Sequence, residues 1–129
     1  MSSGDETFCA AVNCMDGRFQ TPVIDYLRSR FSAQHVDMIT EPGPIKILAE
    51  RKPEALVDSI RARLDISVNR HGARSIAIIG HEDCAGNPVA KNEQLEQLAA
   101  AQEIVQGWYP GVSVIRLWVD LAGQAEDLC

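Results

Sequence analysis

The 129-residue sequence contains no cluster of Lys or Arg: 12 basic residues are scattered against 18 acidic ones, for a formal net charge of -6. That balance excludes a phosphate-binding surface, so no nucleic acid partner is expected. No apolar run approaches the roughly 20 residues that span a bilayer. Met1 to Thr7 is polar and acidic, whereas an export signal is basic and then apolar. The expectation is a cytoplasmic protein with no membrane partner. Cysteines number only 4, at Cys9, Cys14, Cys84 and Cys129, too few for a disulfide scaffold in a chain with a sizeable core, which also suits a reducing compartment. Repeats, low-complexity tracts and linker-like stretches are absent as well. With 46% hydrophobic residues, positions 1–129 are expected to form a single domain.

What is present is an alternation of strand and helix signals. Phe8–Val12, Arg74–Ile79 and Val112–Val119 are apolar runs, and His35–Ile39 is a shorter, more mixed one. Between the first two, Val23, Ile24, Leu27 and Phe31 recur at helical spacing after Thr21 as N-cap and Pro22 at the first helical position. Val57, Ile60, Leu64 and Val68 form a second stripe after Pro53, ending near Gly72. Leu95, Leu98, Val105 and Trp108 form a third, entered through Asn87-Pro88. The pattern predicts an α/β domain with a four-stranded parallel sheet and helices on both faces. Val112–Val119 would then be an exposed apolar edge, which predicts a homodimer or higher homo-oligomer that covers it.

Two motifs stand at strand ends. Cys14-Met15-Asp16-Gly17-Arg18 follows the first apolar run, and Gly80-His81-Glu82-Asp83-Cys84 follows the third. In a parallel sheet, ligands bind beyond the carboxyl ends of the strands, where consecutive connections run to opposite sides. If the first strand lies between the second and third, Cys14, His81 and Cys84 converge there as a three-ligand zinc set whose fourth position is not obviously filled by protein. Gly80 is read as the point where the backbone bends. Residues 1–129 are therefore expected to be one zinc-binding α/β domain.

Zinc lowers the pKa of a bound water to about 7, and the resulting hydroxide attacks an electrophilic carbon. Two thiolates and an imidazole neutralise most of the metal's charge, so neighbouring groups matter more than in a three-imidazole site. Asp16, kept ionised by Arg18, can only accept a hydrogen bond and would orient that hydroxide.

Cys-x-Asp-x-Arg after one strand and His-x-x-Cys after a later one resemble the zinc site of the β-class carbonic anhydrases, and the order of strands and helices resembles theirs across nearly the whole chain. The resemblance implies that Cys14, His81 and Cys84 are the Zn2+ ligands, that Asp16 and Arg18 are the catalytic pair, and that the substrate is CO2 or bicarbonate. In that family the Asp either pairs with the Arg or swings onto the metal and closes the site. Departures lie at Glu41-Pro42-Gly43-Pro44-Ile45-Lys46, where the family carries an Asn-Ala-Gly loop. Others are Gly17, where the family has Ser, and Ala85-Gly86-Asn87 after the last ligand. Family members also begin with a helical arm, whereas here the first strand starts at Phe8. Relatives hydrolyse sulfur analogues of CO2.

Simpler roles are assigned to the remaining residues. Cys9, an odd separation from Cys14, faces the other side of its strand and is core; Cys129 is exposed and incidental. His35 and His71 sit at element boundaries, Glu82 and Asp83 are solvated or support the ligands, and Glu41 adds a pocket carboxylate. Phe19 packs in the core or walls the pocket. Gly17 and Gly86 serve backbone geometry. Three functions follow in order: a zinc-dependent lyase that hydrates CO2, or a hydrolase of COS or CS2; a non-catalytic zinc-binding domain closed by Asp16; and a cysteine-nucleophile enzyme. The last is disfavoured because no Cys-x-x-Cys motif is present.

Overall fold

The structure is a computed structural model that describes residues 6–128; Cys129 lies outside them. Strands β1 (Phe8–Cys14), β2 (His35–Glu41), β3 (Ser75–His81) and β4 (Ser113–Val119) pair in parallel. A short β5 (Ala125–Asp127) pairs antiparallel with β4. The order is β2-β1-β3-β4-β5, which corrects the four-stranded expectation. Ala-Glu-Asp carries no apolar signal, and the strand exists because the turn at Asp120–Gln124 folds the chain back onto β4. Asp120 Oδ1 accepts from the Ala122 and Gln124 amides, each at 2.9 Å, to hold that turn. The β4 edge is thus covered by the chain itself at Leu117–Val119, and the edge argument for an oligomer falls away.

Alternate residues of each strand face opposite layers. Ala10, Val12, Ile76 and Ile78 pack under α2 (Pro44–Glu50), α3 (Glu54–Asp65) and α4 (Lys91–Trp108). Cys9, Ala11, Ala77, Ile79 and Leu117 pack under α1 (Thr21–Phe31), against Val23 and Leu27. Cys9 is therefore core, and burial, with the Asp37 charge second, pushes its thiol up to about 11.

Three local expectations change. Helix α2 was not foreseen: seven residues are too few for a periodic stripe, and Ile45, Ile47 and Leu48 are buried because the helix caps the sheet. Helix α4 starts at Lys91, not at Asn87-Pro88; Asn87 is buried and its amide donates to Gln97 Oε1 at 2.6 Å. The Val57 stripe runs through α3 into a wider π turn, Ile66–Arg70, before Gly72 at φ +74° ends it.

Consecutive connections run in opposite senses: α1 carries the chain from β1 out to β2 over one face, and α2 with α3 carry it from β2 back past β1 to β3 over the other. The carboxyl ends of β1 and β3 are therefore the switch point of the sheet. Cys14 and His81 are the last residues of those two strands.

Candidate metal centre

Cys14 and Cys84 are 70 positions apart in sequence, yet their sulfur atoms lie 3.8 Å apart. Two ligands of a tetrahedral ion with metal–sulfur bonds of about 2.3 Å span that distance. One donor atom from each of Cys14, His81 and Cys84 lies within 4.8 Å of the others, and all three residues are buried. Among the described residues this is the one cluster of three or more donors so arranged.

The imidazole is preset for the role. His81 Nδ1 lies 2.8 Å from the Glu82 carbonyl, which only accepts, so Nδ1 carries the hydrogen and Nε2 is left as the donor. Nε2 is buried and has no hydrogen-bond partner, a costly state for a polar atom unless something occupies its lone pair. Phe19 stacks on the ring with centroids 4.1 Å apart and fixes its plane. The His81 amide donates to Gln94 Oε1 at 3.0 Å, and Gln94 Nε2 returns a bond to the His81 carbonyl at 2.7 Å. Gly80 makes room for that clasp: a Cβ there would stand 2.7 Å from Gln94 Oε1. The glycine is needed for close approach of α4 and not, as expected, for a bend.

Charge is arranged to favour one anionic sulfur, at Cys14. Burial raises the Cys14 thiol, but His81 and the amides of Gly43 and Asp16 outweigh it and bring it down to about 7. Burial also lowers His81, and the Cys14 sulfur and Glu82 carbonyl outweigh it, leaving the imidazole raised. Cys84 is pushed up to about 11 by burial and then by its neighbour Cys14, against opposing bonds from the Gly86 and Asn87 amides. A second thiolate beside the first costs energy that a bound cation would offset.

Asp16 is outside the donor cluster. It caps the 3₁₀ turn Gly17–Phe19, its Oδ1 accepting the Arg18 amide at 2.9 Å. The Arg18 guanidinium donates to it as well, Nε to Oδ1 at 3.1 Å and to Oδ2 at 3.3 Å, and Nη2 to Oδ2 at 2.7 Å. These contacts hold the carboxyl down at about 2. Gln20 Nε2 donates to both the Cys14 and Asp16 carbonyls at 2.8 Å, tying the turn to the strand end.

A cavity of about 240 Å³ opens beside these groups, lined by Cys14, Met15, Asp16, Pro42, Ala85 and Gly86. It adjoins a cleft of about 460 Å³ that shares Pro42 and Gly86 and reaches Lys46 and Leu56. The Glu41–Lys46 segment does border the cavity, through Pro42. Glu41 itself is taken up by an ion pair with Arg63, so it is not a free pocket carboxylate. His35 and His71 lie at the amino ends of the strands, against Phe8, Glu6 and Asp37. Gln20, Gln94 and the Gly43 amide were not singled out in the sequence; no motif marks them.

Solved structures share the fold. A carbonic anhydrase from Streptococcus mutans aligns with a TM-score of 0.61 at 14% identity, covering 93% of this chain and 81% of that one. The β-carbonic anhydrase CafD of Aspergillus fumigatus gives 0.57 at 17% identity, covering 96% and 89%. One of two tetrameric β-carbonic anhydrases from Sordaria macrospora gives 0.55 at 14%, covering 98% and 83%. No curated protein matches the sequence. Residues 4–129 match the model of the family described as putative carbonic anhydrase, and with nearly the whole chain inside that match, the chain belongs to this family.

Proposed function

We propose that Cys14, His81 and Cys84 bind one zinc ion and that the protein hydrates carbon dioxide reversibly to bicarbonate, with Asp16 and Arg18 as its catalytic pair. The thiol pair 3.8 Å apart beside an orphaned, buried Nε2 carries this reading. Bound there, zinc would supply the acidification of a water, whose pKa falls from about 15.7 to about 7.

The chain's own residues do the rest. Asp16, ionised and lacking a proton to give, accepts the hydrogen of the nucleophile at a carboxylate oxygen and leaves the nucleophile's lone pair toward the substrate carbon. Arg18 keeps that carboxylate from taking up the proton. Met15, Pro42 and Gly86 offer a small, mainly apolar wall suited to an uncharged linear molecule. Pro42 stands where the resembled family has a small-residue loop and gives the cavity a different wall, so hydrolysis of COS or CS2 is the second reading.

One zinc-binding α/β domain working as a cytoplasmic homo-oligomer completes the proposal. Its support is the tetrameric state named for the Sordaria macrospora proteins. No helix among the described residues is long and apolar enough to cross a membrane.

Stopped-flow CO2 hydration with protein of measured zinc content tests the reading. Asp16→Asn should keep zinc and lose activity by about tenfold or more. Zinc-loaded protein inert toward CO2 but active on COS would shift the assignment to the analogue, and inertness toward both would overturn it.

A further inference from the structure

The Asp16 bonds occupy only one side of the Arg18 guanidinium. On the other side, Nη1 donates to Asp83 Oδ2 at 3.3 Å and Nη2 donates to the Asp83 carbonyl at 3.1 Å. All three nitrogens of the fork are therefore committed to two aspartates, one in each motif. Asp16 lies two residues after Cys14, and Asp83 immediately precedes Cys84. The guanidinium thus ties the β1 turn to the β3 turn. Asp83 adopts φ +59°, a left-handed conformation that Asp tolerates better than most residues, and in that turn both its carbonyl and its carboxylate accept from Arg18.

We propose that Asp83 is a positioning residue for the Asp16–Arg18 pair: it grips the far side of the guanidinium so that the fork stays on Asp16. A planar guanidinium held on one edge alone swings about that edge; held on both, its plane is fixed. The contact is largely exposed, with Asp83 71% and Arg18 51% accessible, so its effect is modest and weakens with salt. Its consequence for turnover rests on the carbonic anhydrase reading above; the grip itself does not.

Asp83→Gly tests it without backbone strain, because glycine accepts φ +59° and keeps the carbonyl contact. The Arg18 Nε–H signal, followed by NMR hydrogen exchange, should exchange at least about twofold faster in the variant. CO2 hydration should fall about threefold to fivefold in kcat with KM unchanged, the size an exposed ion pair allows. Asp83→Asn, which keeps an acceptor oxygen and tolerates the conformation, should recover most of the loss. In an Arg18→Ala background, Asp83→Gly should cause no further loss. An unchanged Nε–H exchange rate would overturn the proposal, as would a full additional loss in the absence of Arg18. If the parent protein proves inert toward CO2, the exchange measurement still decides the grip, and the two failures remain separate.

Discussion

A methyl group at Gly86 would stand 2.7 Å from the Pro42 carbonyl carbon and 3.0 Å from the Gly43 nitrogen. These atoms belong to the Pro42–Gly43 backbone, which has no flexible end to move aside. Gly86→Ala should therefore push apart the two loops that flank the cavity, at a cost of about 1–3 kcal/mol in urea denaturation. Gly17→Ala, with nothing within 4 Å of the added atom, should change stability little; equal losses at both positions would contradict this account. In the sequence the two glycines looked alike, because close approach of two loops is a tertiary fact. Asp16 and Arg18 were legible because a two-residue separation in a turn brings a short carboxylate against a long guanidinium. Asp83 sat in plain view between two ligands, but which way its side chain turned depended on the left-handed backbone at that position.

Asp16 also carries a pH signature. Arg18 holds its carboxyl at about 2, below an ordinary 3.8, so the folded state binds that proton more weakly than the unfolded chain. The pair's stabilisation is then complete above about pH 4 and is lost as pH falls toward 2. The stability difference between parent and Asp16→Asn should shrink across that window and flatten above it. A difference independent of pH between 2 and 5 would mean that Arg18 does not hold Asp16 in solution.

Elements with a periodic apolar pattern were read from sequence to within about two residues at their ends, the start of α4 excepted, and the two site strands ran two residues further than expected, to Cys14 and His81. That extension places both residues on the sheet itself, a more rigid base than a loop. What escaped were elements too short to show a period: α2, whose three apolar residues cap the sheet, and β5, defined only by its partner. Helices α3 and α4 are joined at their carboxyl ends by Tyr109, whose hydroxyl donates to Asp65 Oδ1 and lies 3.2 Å from the Arg61 carbonyl. Burial and Asp65 together raise the Tyr109 hydroxyl above its usual range. Tyr109→Phe keeps the packing and removes only that link. A loss of about 1–2 kcal/mol in thermal unfolding is expected, and a variant as stable as the parent would show that the link contributes nothing.

For the molecule as a whole, sequence supplied the class of sheet and, conditionally, the order in which β1 lies between β2 and β3. The structure has that order, and with it a reason for Cys14 to meet two residues from the far half of the chain. Sequence did not supply the closure of the β4 edge, since β5 depends on a turn and not on an apolar run. The claim on which the rest depends is that this switch point holds a metal through two sulfurs and one imidazole. X-ray absorption at the zinc edge of zinc-loaded protein tests it most directly. The account predicts two sulfur atoms at about 2.3 Å and one imidazole nitrogen at about 2.0 Å, with one sulfur lost in Cys84→Ser. A zinc shell of nitrogen and oxygen alone, or one unchanged in Cys84→Ser, would contradict it.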